Sequence, residues 1–290
     1  MSSPRACETS GYTVHRQGDF AVATVAQRVQ DCADCSGTGL LRSTVTENGR
    51  TYDVVNPCPR AKMISRASAF SGAHLPAVHA PASFDNFRPS NTEQARAVQL
   101  ARDFALRFPQ TRGYVLSGPV GTGKTHLMCA TLKHLALEVG ARVAYVEISL
   151  LYAQIRRGFQ DGKSGGEIIQ PLSQVDVLAI DELGKGRGSA FELDTLDELI
   201  ARRYNAGRVT LFATNYSLRS PEDRAQRGYL GTDALVESAK ESKLLADRVG
   251  DRIYSRLCEM CEFVEFPGNT ADQRRAKNAA ERVPNGPPRR

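Results

Sequence analysis

From about Phe84 onward the chain alternates between two hydrophobic rhythms. Residues 92–108, TEQARAVQLARDFALRF, follow Asn91 and open on Thr92, both suited to a helix N-cap, and Val98, Phe104 and neighbouring alanines supply one apolar face. YVLS at 114–117 has the character of a strand. Residues 123–139 place Met128, Leu132, Leu135 and Val139 on a single helical stripe. RVAYVEI at 142–148 predicts a strand and SLLYAQIRRGF at 149–159 a helix. VDVLAI at 175–180 is apolar at nearly every position, as in a strand covered on both faces. AFELDTLDELIARRYN at 190–205 predicts a helix with Leu193, Leu196 and Ile200 inward, and RVTLFATN at 208–215 a strand. Residues 244–257 predict a helix and EFVEF at 262–266 a final strand. Alternating strands and helices with buried strands imply an α/β fold, an open parallel sheet between helical layers. Ligands of such sheets bind beyond the carboxyl ends of the strands.

The first 60 residues lack this rhythm. They are polar and turn-rich, with three cysteines between positions 32 and 58. Residues 61–82, AKMISRASAFSGAHLPAVHAPA, are rich in Ala, Ser and Pro and weakly periodic, which predicts a linker. The expected organisation is a module over 1–60, a linker over 61–82, an α/β domain over 83–268 and a basic tail over 269–290. A length of 290 residues suits a core domain with a small companion. No apolar run approaches a membrane span, and MSSPRACETS is not followed by the apolar stretch of a secretory signal. The expected location is therefore cytoplasmic, with no membrane partner. A net charge of +6 and a pI of about 9.0 permit contact with nucleic acid without establishing it. Seven cysteines, an odd number, argue against a disulfide framework and for metal, redox or packing roles.

Gly118, Pro119, Val120, Gly121, Thr122, Gly123, Lys124 and Thr125 fit the pattern G-x-x-x-x-G-K-[ST], after a predicted strand and at the start of a predicted helix. The glycines let successive backbone N–H groups turn toward an anion. The helix N-terminus adds the positive end of its dipole. Lys124 then reaches the outer phosphates and the Thr125 hydroxyl ligates magnesium. ATP (or a close relative) with Mg²⁺ is the cofactor this implies, and His126, next on the helix, is grouped with the nucleotide-binding residues.

The second element is VLAIDE at 177–182, an apolar strand ending in two acids. Exposed acids after a strand are common, but downstream of a phosphate loop they acquire roles. Asp181 is placed to hold Mg²⁺ through water, and Glu182 to polarise an attacking water as general base. A glutamate there suits hydrolysis better than a kinase, which must exclude water. Thr214-Asn215 ends the next strand. The Asn215 amide suits a contact with water or the γ-phosphate, and equally an ordinary turn.

In this order, GPVGTGKTHL, YVEISLLYAQIRR, VDVLAIDELGK, LFATNY and GDRIYSRLCEM with FVEFPG resemble the DnaC/IstB-like helicase-loader branch of the AAA+ ATPases, from about Phe84 to Arg274. The resemblance implies a P-loop NTPase fold, a three-layer sandwich around a parallel sheet. It makes 118–125 the Walker A loop, Asp181 and Glu182 the Walker B acids, and Asn215 the first sensor. It makes Arg256 an arginine finger with Arg252 beside it, and hence implies head-to-tail self-assembly. The second sensor would be Arg274, with Arg275 as the alternative. It also implies a replicative helicase and single-stranded DNA as partners, with Tyr152, Arg156 and Arg157 on the helix where DNA would lie. Two segments depart from the pattern: the long stretch 216–243, and the basic, glycine-rich GKGRG at 184–188.

Cys32-x-x-Cys35 followed by glycines, a hairpin-like TVTENGRTYDVV and Pro-Cys58-Pro suggest a zinc-ribbon-like module. The fourth ligand is open among Cys7, His15, His74 and His79. Loaders similar to this chain use such a module to bind the helicase. Cys258 and Cys261 read as buried small hydrophobes. An IstB-like regulator of transposition, or a nucleotide-gated binding module with negligible turnover, are the competing functions.

Overall fold

The structure is a computed structural model that describes residues 7–9, 11–26, 28–186, 188–218 and 244–273. It forms two compact units, residues 1–81 with 132–144, and residues 82–131 with 145–290.

The smaller unit opens with an antiparallel sheet of β1 (Cys7–Thr9), β2 (Tyr12–Gln17) and β3 (Phe20–Val25). A separate hairpin follows, β4 (Leu40–Glu47) and β5 (Arg50–Pro57), turning at Asn48-Gly49 as the sequence predicts. Residues 61–82 are not a linker. Helix α1 (Pro59–Ser71) starts in the first residues after Cys58, and Ala67, Phe70, Ala73, Leu75, Ala80 and Ala82 are all buried. The alanines that looked flexible are good helix formers and small enough to pack closely. The Ala23 N–H donates to the Ser71 hydroxyl at 3.1 Å, tying β3 to α1. Arg66 donates to the carbonyls of Leu137, Glu138 and Val139, where a cation meets the negative end of a helix.

The larger unit carries α2 (Thr92–Arg107), capped by the Asn91 side chain as predicted. Its sheet comprises β6 (Gly113–Ser117), β7 (Val143–Glu147), β8 (Val177–Asp181), β9 (Val209–Thr214) and β10 (Cys261–Glu265), in the order β10-β6-β9-β8-β7. The pairings of β10 with β6, β6 with β9 and β8 with β9 are parallel. Every residue of β6 and β8 is buried. The register sets Ser117 beside Thr214 and Ile180 beside Phe212, so these strands end along one edge. The connecting helices are α3 (Lys124–His134), α4 (Ile148–Gln160), α5 (Gly165–Gln174) and α6 (Ala190–Asn205).

Three details depart from expectation. The predicted helix over 123–139 finishes as a π turn over Leu135–Val139 before Gly140. The helix over 244–257 is two helices, α7 (Leu245–Val249) and α8 (Asp251–Met260), separated by Gly250 at φ +80°. Helix α5 was not foreseen, although Ser164 and Glu167 form a capping box at its start.

Candidate functional site

The Walker A loop joins β6 to α3, and its glycines are needed for two reasons. Gly118, Gly121 and Gly123 have φ of +142°, +80° and +92°. A Cβ on Gly121 would sit 2.0 Å from an Asp272 carboxylate oxygen, and one on Gly123 2.4 Å from the Phe87 ring. The loop is braced from behind. Gln94, wholly buried on α2, donates to the Thr122 carbonyl at 2.8 Å, and the Gln273 N–H donates to the Gly121 carbonyl at 3.0 Å. Lys124 is 7% exposed, and its ammonium donates to the Gly118 and Pro119 carbonyls, each at 2.7 Å. Val120 is exposed at the loop's tip. The His126 ring nitrogen lies 2.9 Å from the Ser83 carbonyl, and the ring meets Phe87 at a tilt with centroids 5.6 Å apart, so it anchors residues 83–87 to α3.

At the ends of β8 and β9 the predicted catalytic groups converge. The Thr125 hydroxyl donates to Asp181 Oδ2 at 2.7 Å. Tyr145, on β7, donates its phenol proton to the same oxygen at 2.8 Å, and the Glu182 N–H donates to Asp181 Oδ1 at 2.8 Å. Burial first, and then the Asp181 charge, push the Tyr145 phenol well above its ordinary range, so it remains a donor. A hydroxyl and a carboxylate meeting beside the loop have the oxygen chemistry that Mg²⁺ selects.

Asn215 Nδ2 donates to Glu182 Oε2 at 3.1 Å. Lys185 lies 3.8 Å from that same oxygen and 3.0 Å from Glu147 Oε1. Its hydrogen bond to Glu147 raises the Lys185 pKa. Burial acts to raise the Glu147 carboxyl, but Ser149 and Lys185 together bring it below the usual range. Glu182 has a φ of +56°, a left-handed conformation that costs a non-glycine residue about 1–3 kcal/mol and recurs at functional sites. The loop after it is clamped from α7. Arg248 donates to the Gly184 and Gly186 carbonyls at 3.1 and 2.6 Å and covers the Tyr216 ring at 5.2 Å.

Other predicted residues lie elsewhere. Arg256 and Arg252 both pair with Asp197 on α6, Arg252 at 3.2 Å. Tyr152 is 4% exposed, so it offers no stacking platform for a DNA base; Arg156 pairs with Glu192 at 3.5 Å and covers Phe191. Arg274 and Arg275, Arg187 within the 184–188 loop, and most of the 216–243 segment lie outside the described residues.

In the smaller unit, Cys32, Cys35 and Cys58 are buried with their sulfurs within 4.8 Å of one another. Val29, Leu41 and Ala61 pack around them. The Gly39 N–H donates to Cys35 Sγ at 3.2 Å. Burial acts to raise the Cys35 thiol, yet the Gly39 amide and the neighbouring thiols bring it below its usual value. Cys58 goes the other way: amides of Ala61 and Arg60 lower it, but burial and the other two thiols leave it raised. Three convergent thiols fit three of the four positions of a structural zinc site. Among the described residues no fourth side chain completes it, and His15, His74 and His79 do not join the cluster.

The sequence did not point to Tyr145, Gln94, Phe87 or Arg248, and it marked Lys185 only as part of the basic 184–188 segment. Only Lys185 carried a signal, as the basic residue three positions after Glu182. The others act across elements whose spacing along the chain says nothing of their proximity.

A profile of the family described as IstB-like ATP binding protein matches residues 60–238. The chain belongs to this family. It is 27% identical over 186 residues to the replicative helicase loader DnaC of Escherichia coli strain K12, covering 63% of this chain and 67% of that protein. It is also 27% identical over 205 residues to the uncharacterized protein YdaV of the same strain, covering 68% and 82%. The crystal structure of the DnaC helicase loader superposes with a TM-score of 0.54 and 28% identity, over 65% of this chain and 98% of that one. AMPPCP-bound DnaA from Aquifex aeolicus, at 18% identity and a TM-score of 0.50, shares the fold alone, over 69% and 55%. The larger unit of this family member therefore has the AAA+ P-loop fold. The matched segment contains residues 118–125, Asp181, Glu182 and Asn215. No helix among the described residues is long and apolar enough to cross a membrane.

Proposed function

We propose that this protein is an ATP-hydrolysing AAA+ loader that delivers a replicative helicase to single-stranded DNA. The observation that carries the enzymatic part is the meeting of Thr125, Asp181, Glu182 and Asn215 beside the Walker A loop. Thr125 and Asp181 would hold Mg²⁺, which supplies neutralisation of the charge developing on the phosphates. Lys124 and the loop amides bind the phosphates. Glu182 takes the proton of the attacking water, and Asn215 holds its carboxylate in place. Replacing Glu182→Gln should lower ATP turnover by roughly 10²-fold or more while nucleotide still binds. Equally slow turnover by wild type and variant, with or without single-stranded DNA, would favour a nucleotide-gated binding module instead.

Arg256 acts in this proposal on the nucleotide of a neighbouring subunit, supported by its placement on α8 with Asp197 rather than with the catalytic cluster. Its test is a mixture of two inactive variants, Lys124→Ala and Arg256→Ala. Partial recovery of hydrolysis supports a shared site, and no recovery at any ratio opposes it.

The loader role rests on the similarity to DnaC, and the cysteine module is its proposed docking piece, with zinc held by Cys32, Cys35 and Cys58. Affinity capture with the full chain tests the partner. Recovery of a replicative helicase supports the proposal, whereas a transposase would overturn it in favour of transposition.

A further inference from the structure

We infer that Tyr145 is a positioning residue for the magnesium-binding carboxylate of Asp181, an inference that rests on the ATP-binding function proposed above. Asp181 Oδ2 receives two hydroxyl donors, Thr125 at 2.7 Å and Tyr145 at 2.8 Å, while Oδ1 receives the Glu182 N–H at 2.8 Å. An aspartate carboxylate turns freely about its last bond unless both oxygens are held. Here the two ends are held by different means. The backbone of the next residue fixes Oδ1, and a phenol from β7, another strand of the sheet, fixes Oδ2.

Thr125 cannot serve alone as the second anchor. Its hydroxyl oxygen is the group that would ligate Mg²⁺, so its orientation would change with the ligand, whereas among the described residues the Tyr145 phenol donates to Asp181 alone. Tyr145 is half-buried on a strand, and its ring can reach Asp181 without loop movement. Donors behind metal-holding carboxylates and imidazoles typically change metal affinity by roughly 10- to 100-fold when removed. Tyr145 touches neither nucleotide nor water in this role and is not a catalytic residue.

The test is Tyr145→Phe in the full chain, which keeps the ring and removes one oxygen. Binding of a fluorescent ADP analogue is titrated with and without MgCl₂, and ATP turnover is followed against Mg²⁺ concentration. The half-saturating Mg²⁺ concentration should rise roughly 10-fold, with metal-free nucleotide affinity unchanged and turnover largely recovered at high Mg²⁺. An unchanged Mg²⁺ requirement overturns the role of Tyr145, and so does an equal loss of metal-free affinity, which marks a merely structural ring. A wild-type protein whose nucleotide binding ignores Mg²⁺ would instead overturn the ATP–magnesium function, and the inference with it.

Discussion

Strands β6 and β8 are buried at every position, and the candidate site lies at their carboxyl ends. Strands β4 and β5 are eight residues each, and only Leu41 and Val54 are even half-buried. Strands β6 and β8 read GYVLS and VLAID, whereas β4 and β5 are charged or polar at half or more of their positions, so the difference in burial follows a difference in sequence. Apolar burial stabilises in proportion to the area removed from water. The sheet has that source in full, and the hairpin has almost none. A two-stranded hairpin alone is marginal in water. What the hairpin has is a base: the three thiols, with Val29, Leu41 and Ala61 against them. One region is ordered by burial throughout, and the other is ordered at one end by a small, chemically reactive cluster.

Chelation has the largest expected effect, because it acts on the proposed zinc site at the base of the hairpin. With zinc on Cys32, Cys35 and Cys58, protein purified without chelator should carry about one equivalent. Chelation should abolish hydrogen-exchange protection across 40–57, because the thiol cluster is the buried group at the base of these strands. It should also loosen the first turn of α1, since Cys58 is that helix's N-cap. Nucleotide binding should persist. Unchanged protection after chelation, or less than about half an equivalent of zinc, would show that the thiols are only packing.

The same contrast explains what could be foreseen from sequence. The loop over 118–125 is a local device, since the residues of its motif must be consecutive, so its place between a strand and a helix was legible. Helix α6 was legible for the same reason, with its 190–205 bounds set by local periodicity. Its Arg203 was not. That side chain looks like one of several arginines on a solvated face, yet it is wholly buried. It donates to Thr210, to the carbonyls of Leu172 and Val175 at 2.8 and 3.0 Å, and to that of Val209. Burial draws its pKa down to about 9. Residues 61–82 failed in the opposite sense. Alanine carries no signature of whether it packs or flexes, and α1 packs against β3 and the π turn at 135–139, both distant in the chain. Tyr145 belongs with these, because a tyrosine in a strand is ordinary until the strand order is known.

A smaller and finer test compares one truncation from each region. Leu116, on β6, is fully buried, so Leu116→Ala should cost about 2–5 kcal/mol through lost burial and the cavity left behind. Val45, on β4, is 41% exposed and faces Tyr52 across the hairpin. Val45→Ala removes only part of one cross-strand pair, worth about 0.2–1 kcal/mol. Hydrogen exchange should be read separately in β6 and in β4, because a chain with two units need not unfold in a single step. If Val45→Ala instead matches Leu116→Ala, the hairpin face is covered in solution, and the thiol cluster is not what orders it. A small loss confined to 40–57 would show that the hairpin's outer residues contribute little to its stability.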